Sequence, residues 1–148
     1  MRIALGSDHA GWFLKEEIKK YMSVNKIDFK DFGTYNKEPC DYPDYALKVC
    51  EAILSGSFDR GILFCGTGIG MCIAANKIRG IFAALCDSTY AAYFAKRKNN
   101  SNVLVLPGSI VAPAIASEIV KIWLETEFEG GRHEKRINKI KDIEARLF

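Results

Sequence analysis

A cysteine followed by alternating glycines is the segment of the sequence best suited to chemistry. The segment comprises Cys65, Gly66, Thr67, Gly68, Ile69 and Gly70. A strand-like apolar run precedes it and a helical run follows, so backbone N–H groups and a helix dipole are available to bind an anion. A helix N-terminus also lowers the pKa of a thiol. We interpret Cys65 as a candidate base that takes a proton from carbon while the loop holds the oxyanion formed.

The same loop can also be interpreted as a tight strand-to-helix turn without a ligand. Its glycine spacing matches neither the dinucleotide-binding pattern nor the Walker pattern, and a short glycine loop alone is weak evidence. The cysteine directly before the loop favours the catalytic interpretation. Cys40, Cys50 and Cys72 lack this setting and are interpreted as structural, and no glycine loop follows Cys86.

Two further polar segments precede predicted helices. Asp8 and His9 follow the first predicted strand, where such side chains can bind sugar hydroxyls, move protons or hold phosphate. Asp8 alternatively caps the helix that follows. Tyr42 lies in the segment Asp41–Asp44, whose proline marks a helix start, so Tyr42 alone is a weak candidate.

Basic residues form two more candidate groups. Lys98 and Asn99 lie in a polar run before the fifth predicted strand, where a solvated helix C-terminus is the alternative. Arg132 and Arg136 are one helical turn apart, and two arginines on one face can grip a phosphate through bidentate hydrogen bonds. A solvated helix face is the alternative interpretation of this pair.

Strand-like and helical patterns alternate along the chain and must position these residues. The predicted strands are Arg2–Gly6, Asp28–Phe32, Gly61–Cys65, Ile81–Cys86 and Asn102–Leu106. The predicted helices are Trp12–Val24, Tyr45–Leu54, Gly70–Lys77, Thr89–Arg97 and Ala114–Glu125. The alternation predicts an α/β fold with a five-stranded parallel sheet covered on both faces by helices. Because ligands of such sheets lie at the carboxyl ends of the strands, the segments that follow the strands are the candidate site.

The chain is predicted to be a single domain over residues 1–148, with an α/β core at 1–128 and a C-terminal arm at 129–148. Gly130 and Gly131 interrupt the chain, and Arg132–Phe148 resumes with a helical apolar stripe. This helix either closes its own domain or docks on a second subunit. The formal excess charge of +3 lies here, since Arg132–Phe148 holds six Lys or Arg and three acidic residues.

Composition excludes several classes of protein. Contents of 49% hydrophobic and 26% charged residues exclude a disordered or low-complexity chain. A net charge of +3 is small for a general nucleic-acid binder. No membrane-length apolar run or secretory segment is present, so we expect a cytoplasmic protein. Five cysteines without a C-x-x-C pair, and two distant histidines, favour reduced thiols and no structural metal.

Six segments together resemble the type B ribose-5-phosphate isomerases, which are grouped with the galactose-6-phosphate isomerase subunits. The resemblance runs from Ile3 to about Ile143. The segments are G-S-D-H-A-G at Gly6–Gly11, D-Y-P-D at Asp41–Asp44, C-G-T-G-I-G at Cys65–Gly70, I-A-A-N-K at Ile73–Lys77, N-N-x-N-V-L at Asn99–Leu104 and F-E-G-G-R-H at Phe128–His133. Each alone is modest evidence, whereas all of them in order are highly specific.

The resemblance implies a doubly wound, Rossmann-like three-layer αβα fold and an obligate homodimer, sometimes a dimer of dimers. The C-terminal helix would dock on the partner subunit. It further implies an aldose–ketose isomerase of the pentose phosphate pathway that needs no metal and no cofactor. Its partner molecules would be a small sugar phosphate and a second copy of the chain, with no nucleic acid and no membrane.

The resemblance also implies roles for individual residues. Cys65 matches the base that takes the proton from C2, and the loop from Gly66 to Gly70 matches the part that stabilises the enediolate. Thr67 matches a hydroxyl that helps move protons between the two oxygens. The positions that match substrate ligands are Asp8, His9, Tyr42, Asn99, Arg132 and Arg136, the two arginines being phosphate ligands at a site shared between subunits.

Two positions depart from the family pattern. Lys98 stands where many of these isomerases carry the histidine thought to open the furanose ring. Either Lys98, His9 or Asp8 opens the ring, or ring opening is slow, or the preferred substrate is another sugar. Ser109 stands near the place of a frequent arginine, so we expect one phosphate contact fewer. The alternatives to ribose 5-phosphate are a six-carbon aldose phosphate, such as allose or galactose 6-phosphate, or sugar-phosphate binding without catalysis.

Overall fold

The computed structural model describes residues 1–147, in which five strands and six helices alternate until the last helix. The strands are β1 (Arg2–Ser7), β2 (Asp28–Asp31), β3 (Arg60–Cys65), β4 (Ala83–Leu85) and β5 (Val103–Pro107). The helices are α1 (Trp12–Val24), α2 (Tyr42–Leu54), α3 (Ile69–Asn76), α4 (Thr89–Arg97), α5 (Pro113–Glu125) and α6 (Arg132–Leu147). The predicted alternation of strand and helix is confirmed.

All five strands are parallel and lie in the order β2-β1-β3-β5-β4. The three central strands are buried almost along their whole length, as expected of apolar runs covered on both faces. Strands β2 and β4 form the two edges and are less buried. The order places β1 directly beside β3, and this neighbourhood brings the first polar segment to the glycine loop.

Two apolar cores lie on opposite faces of the sheet and make the fold a three-layer αβα sandwich. Helices α1, α4 and α5 cover one face, where Trp123 of α5 is completely buried. Helices α2 and α3 cover the other, where Val49 and Met71 are completely buried. The predicted fold class is therefore confirmed.

Strand β4 is shorter than the predicted segment Ile81–Cys86. Side-chain amides replace strand partners at its beginning, because Asn102 Oδ1 accepts from the Phe82 N–H at 2.8 Å and Asn76 Oδ1 accepts from the Ala83 N–H at 2.9 Å. These bonds satisfy backbone donors that a longer edge strand would leave to solvent. Helix α2 is longer than predicted and begins at Tyr42, because Pro43 suits the first turn of a helix.

Helix α6 lies against its own chain through a small part of its surface. Its buried side chains are His133 and Ile137, and Glu144 Oε1 accepts from the Gly80 N–H at 3.0 Å. Ile140 and Ile143 remain about half exposed, at 46% and 54%. Within residues 1–147, no helix combines the length and the apolar character that crossing a membrane requires.

Candidate active site

The ends of β1 and β3 bring Cys65 and Asp8 into direct contact. Ser7 pairs with Phe64 in the parallel ladder, so the residues that follow these two lie side by side. The Cys65 thiol donates to Asp8 Oδ2 at 3.3 Å, and both side chains are buried. Asp8 Oδ1 accepts from the Gly11 N–H at 2.9 Å, directly before α1. Gly11, not Asp8, caps α1, so the expectation that Asp8 itself is the helix cap is wrong; its carboxylate instead joins the capping residue to the candidate base.

The expectation that the thiol has a lowered pKa is wrong. Burial raises the pKa of the Cys65 thiol, and the negative charge of Asp8 and its hydrogen bond raise it further. The N–H groups of Gly68 and Gly66 lower the pKa but do not outweigh these effects. Burial of the thiol is the first physical reason for the difference, and the Asp8 carboxylate, which lies far away in the sequence, is the second. Cys65 is therefore a hydrogen-bonded thiol at rest, and two loop N–H groups are directed at its sulfur.

The glycine loop turns sharply from β3 into α3. Gly68 has φ +77°, and a Cβ there would lie 2.5 Å from Leu85 Cδ1, so only glycine suits the position. Thr67 is exposed, and its Oγ1 accepts from the Ile69 N–H at 3.3 Å. The hydroxyl thus lies at the mouth of the loop and keeps its own proton for donation.

Tyr42 packs on the glycine loop from the start of α2. A Cβ on Gly70 would lie 2.7 Å from the Tyr42 Oη and 2.5 Å from its Cζ, so the absence of a side chain makes room for the ring. The phenol is 37% exposed. The structure therefore brings Tyr42, weak as an isolated candidate, to the loop that follows Cys65.

Close backbone packing fixes the segment that carries Asp8 against the end of β3. A Cβ on Gly11 would lie 2.3 Å from the Phe64 carbonyl oxygen, so the two chains touch through backbone. On the other side, the Ser109 N–H donates to the Gly66 carbonyl at 2.9 Å. Ser109, at the place of the expected arginine, therefore lies beside the loop with a side chain too short to reach far from it.

His9 is held by a cysteine that the sequence did not single out for a role. The Cys40 N–H donates to His9 Nδ1 at 3.1 Å, and the Cys40 Sγ lies 3.9 Å from the same nitrogen. With Nδ1 accepting, the ring proton is assigned to Nε2, which is then a donor. Cys40 was interpreted as structural, and no pattern in the sequence points to this contact, since it links positions 9 and 40 across two loops.

The remaining candidates lie near the amino ends of the strands, whereas Cys65 lies at their carboxyl ends. Lys98 and Asn99 follow α4, a few residues before β5 begins, and Val103 pairs with Gly61 near the start of β3. Cys65 pairs with Pro107 at the opposite end of the same two strands. Four residues of strand separate these ends by about 13 Å. In one chain, therefore, Lys98 and Asn99 do not meet Cys65.

The two arginines of α6 lie near the same amino ends of the strands as Lys98. The Glu129 N–H donates to the Arg97 carbonyl at 2.9 Å, which joins the start of the arm to the end of α4. Arg132 and Arg136 are exposed, whereas His133 between them is buried with its Nε2 3.2 Å from Glu129 Oε2. The arginines therefore lie at the surface of the protomer that carries them.

The residues described, 1–147, contain no group of three or more His, Cys, Asp and Glu side chains placed to hold a metal ion. The candidate site at the carboxyl ends of the strands consists of a thiol, a carboxylate, an imidazole, a phenol and the glycine loop. The basic residues Lys98, Arg132 and Arg136 lie near the amino ends of the strands.

Comparison with known proteins identifies the family. A family model described as Ribose/Galactose Isomerase matches residues 3–140. The chain belongs to this family. It is 43% identical over 145 residues to the ribose-5-phosphate isomerase B of Escherichia coli strain K12, covering 98% of this chain and 97% of that one.

Solved structures of the ribose/galactose isomerase family share the whole fold. Ribose-5-phosphate isomerase B of Clostridium thermocellum is 47% identical, with a TM-score of 0.98 and complete coverage of both chains. Ribose-5-phosphate isomerase B of Mycoplasma genitalium, solved with bound ribulose-5-phosphate, is 40% identical with a TM-score of 0.93. That comparison covers 99% of this chain and 97% of the other.

Proposed function

We propose that the chain interconverts ribose 5-phosphate and ribulose 5-phosphate. The observation that carries the proposal is the Cys65 thiol, which contacts Asp8 at 3.3 Å and directly precedes the glycine loop. A relative with a TM-score of 0.93 binds ribulose-5-phosphate, which supports the same substrate here. The proposal includes a place in the pentose phosphate pathway of the cytoplasm, in keeping with five free cysteines.

Cys65 acts as the base after its proton has moved to Asp8. The carboxylate already accepts the thiol hydrogen bond, so this transfer needs no rearrangement. The thiolate then takes the proton from C2 of the open-chain aldose, and the C2–H electron pair forms the C1–C2 double bond as O1 becomes negative. The N–H groups of Gly66 and Gly68 stabilise the thiolate before this step.

The enediolate is held by the loop and converted to the ketose by return of the proton. Thr67 donates its hydroxyl proton toward O1 and accepts the proton from O2, so charge passes from one oxygen to the other. The Cys65 thiol then gives its proton to C1 as the C2 carbonyl forms. Every proton and electron pair in these steps comes from the sugar and the side chains, so the reaction consumes no cofactor.

His9, Tyr42 and Asp8 bind the hydroxyl groups of the sugar at the carboxyl edge. His9 offers a ring N–H, because its other nitrogen accepts from Cys40. The Tyr42 phenol offers both a donor and an acceptor beside Gly70. These groups orient the open chain so that C2 faces the sulfur.

A second copy of the chain binds the phosphate and opens the sugar ring. Lys98, Asn99, Arg132 and Arg136 lie at the opposite edge of the sheet from Cys65, so one protomer alone does not assemble the site. In a homodimer, the arginines of one protomer bind the phosphate of a sugar held by the other, Lys98 opens the furanose ring and Asn99 binds the substrate.

An exposed apolar face next to the glycine loop supports this dimer. Ile69 and Ile73 of α3 are 56% and 58% exposed, and Leu85 beside them is 38% exposed. Such a cluster is unfavourable in water and is typical of a subunit interface. We propose that α3 packs on its copy and that the α6 arm docks across the partner.

Substitution of the candidate base tests this function. We expect Cys65→Ser to lower the kcat for ribose 5-phosphate by about 100-fold to 10,000-fold, the usual contribution of a general base. Ribulose 5-phosphate should still raise the Tm of the variant, since the binding groups remain. Cys72→Ser, which changes a neighbouring half-buried thiol, is the control and should retain activity.

The same assay separates the alternatives. A kcat/KM for allose or galactose 6-phosphate above that for ribose 5-phosphate would assign the chain to six-carbon substrates. Stabilisation by sugar phosphates without any isomerisation in the unmodified chain would identify a binding protein. Full activity of Cys65→Ser would remove Cys65 from the role of base.

A further inference from the structure

Lys15 of α1 is completely buried, although it carries a charge. Its relative exposure is 0%, and its position three residues before Ile18 and seven before Met22 places it on the apolar face of the helix. Lys15 Nζ donates to Asp31 Oδ1 at 2.7 Å and to the carbonyl of Thr34. Burial lowers the pKa of this lysine, whereas Asp31 opposes the effect.

A buried ammonium group at position 15 costs desolvation energy, so it is expected only where it makes a contact that an apolar side chain does not make. Replacing a buried ion pair with apolar groups of similar volume is often neutral or stabilising. A methionine would fill the space beside Ile18 and Met22 without the desolvation of an ammonium group. What it lacks is the hydrogen bond to the Thr34 carbonyl, which only a donor at this depth provides.

The Thr34 segment is bonded directly to the end of β1. The Thr34 N–H donates to the Ser7 carbonyl at 2.8 Å, and the Ser7 N–H donates to the Gly33 carbonyl at 2.7 Å. Asp31 Oδ1, which binds Lys15, also accepts from the Gly33 N–H at 2.8 Å. The Gly33–Thr34 peptide unit therefore bonds to Ser7, while Asp31 binds the Gly33 N–H on one side of that unit and the Lys15 ammonium binds the Thr34 carbonyl on the other.

Ser7 directly precedes Asp8, whose carboxylate binds the Cys65 thiol. The backbone of α1 reaches the same place, since the Lys15 N–H donates to the carbonyl of Gly11, and the Gly11 N–H donates to Asp8 Oδ1. Lys15 thus touches the Asp8 segment from two directions, through the helix and through the Thr34 turn. No atom of Lys15 is exposed to a substrate.

We propose that Lys15 is a positioning residue of the candidate active site, whose buried ammonium fixes the Gly33–Thr34 turn and thereby sets Asp8 against Cys65. The proposal rests on the function proposed above for that pair. A shift of about 1 Å in such a pair can lower the rate by about 100-fold. The effect should fall mainly on kcat, because Tyr42 and the glycine loop still contact the sugar when Asp8 is displaced.

Lys19 provides a matched control. Its Nζ lies 2.9 Å from Asp31 Oδ2, so Lys19→Met removes a cation from the same carboxylate but leaves the Thr34 carbonyl bonded. We expect Lys15→Met to lower kcat by about 100-fold with a small change in KM, and Lys19→Met to change kcat by less than about two-fold.

Alkylation of Cys65 by iodoacetamide gives a readout that is independent of turnover. Mass spectrometry of the Cys65 peptide follows the rate against pH in folded protein. We expect Lys15→Met to shift this profile to lower pH, because Asp8 moves away from the thiol. Lys19→Met should keep the profile of the unmodified chain.

A folded Lys15→Met protein with a lower Tm but with unchanged kcat and an unchanged alkylation profile would overturn the proposal, since Lys15 would then be merely structural. If Lys15→Met does not fold, Asp31→Asn, which keeps the side-chain shape, is judged by the same readouts. If the unmodified chain does not isomerise ribose 5-phosphate, the proposed function fails, and the alkylation profile still decides the role of Lys15.

Discussion

The Cys65 thiol donates a hydrogen bond to Asp8 Oδ2 over 3.3 Å and so joins the ends of two adjacent strands. The contact has two opposite consequences for a thiol that must act as a base. The negative charge adds to burial in raising the pKa of Cys65, which keeps the sulfur protonated at rest. The same carboxylate is the nearest acceptor for the proton when the substrate is in place.

Asp8→Asn should therefore lower the pKa of the Cys65 thiol while reducing turnover. Asparagine removes the charge that disfavours the thiolate, so iodoacetamide should label Cys65 at a lower pH than in the unmodified chain. The amide does not accept the thiol proton, so kcat should fall by about 100-fold. Alkylation against pH and steady-state kinetics measure the two effects.

Asp41→Asn is the control for Asp8→Asn. Asp41 is exposed at the start of α2 and makes no side-chain hydrogen bond there, so its loss should leave both readouts unchanged. A labelling profile of Asp8→Asn that moves to higher pH would contradict the electrostatic effect assigned to the carboxylate.

Two impaired variants, one in catalysis and one in phosphate binding, should restore activity when they are mixed. Cys65→Ala lacks the base and Arg132→Ala lacks a phosphate ligand, but a mixed dimer has one site with both groups if the site is shared. After unfolding and refolding together, about a quarter of all sites should be intact, since half of the dimers are mixed. The kcat/KM per site of the mixture measures this directly, because loss of the phosphate contact raises KM mainly.

Each variant refolded alone is the control for this mixture. Activity no higher than the average of the two separate variants would show that Cys65 and Arg132 act in the same chain. In that case the opposite edges of the sheet would have to be bridged by a rearrangement of α6.

Lys98→His should speed the turnover of a sugar that is mainly cyclic. Histidine titrates near neutral pH and therefore both accepts and donates protons there, as opening a furanose ring requires. Lys98 Nζ instead lies 4.3 Å from the centre of the Phe94 ring. We expect kcat/KM for ribose 5-phosphate to rise by about ten-fold. Erythrose 4-phosphate, which does not form a furanose ring through a free 4-hydroxyl, is the control substrate. An equal change for both sugars would contradict a role in ring opening.

Lys96 makes the stability of the protein depend on pH. Burial lowers its pKa from 10.5 to about 8, and the charge of Arg60 contributes. Between these values the folded lysine is neutral while the unfolded one is charged, so folding is favoured as the pH rises. Lys96→Met removes this dependence, and its Tm relative to the unmodified chain should therefore be highest near pH 7 and decline toward pH 10.

Lys20→Met is the control for this measurement, because it also replaces one lysine by methionine but at an exposed position. Thermal unfolding in a series of buffers gives both curves. A Tm difference for Lys96→Met that grows as the pH rises would contradict the direction assigned here. Loss of the Lys96 bonds to Asn100 and Ser101 shifts the whole curve but not its slope.

Sequence patterns predicted the sheet and most helices because those elements depend on short-range periodicity. Continuous apolar runs indicated β1, β3 and β5, and the bounds of α1 and α4 agree with the structure at both ends. Strand β4 was predicted too long, since its first residues are satisfied by the amides of Asn76 and Asn102, which lie outside the strand.

Contacts between distant segments were beyond the reach of the sequence. The burial of Cys65 and the carboxylate from position 8 together raise the pKa of its thiol, whereas the helix N-terminus considered alone predicted a lowered pKa. The sequence does show that Lys15 occupies an apolar position of α1. Its partners Asp31 and Thr34, however, are set by the pairing of β1 with β2.

The sequence by itself determined the fold class and the types of residue available for chemistry, because hydrophobic periodicity and residue chemistry are local properties. Only the tertiary structure decided which of these residues meet. Parallel strands place Asp8 and Cys65 at the carboxyl ends of the strands, and the returning helix α4 carries Lys98 to the amino ends. Since a helix must cross the whole sheet between two parallel strands, residues at its two ends face opposite edges, whatever their distance in sequence.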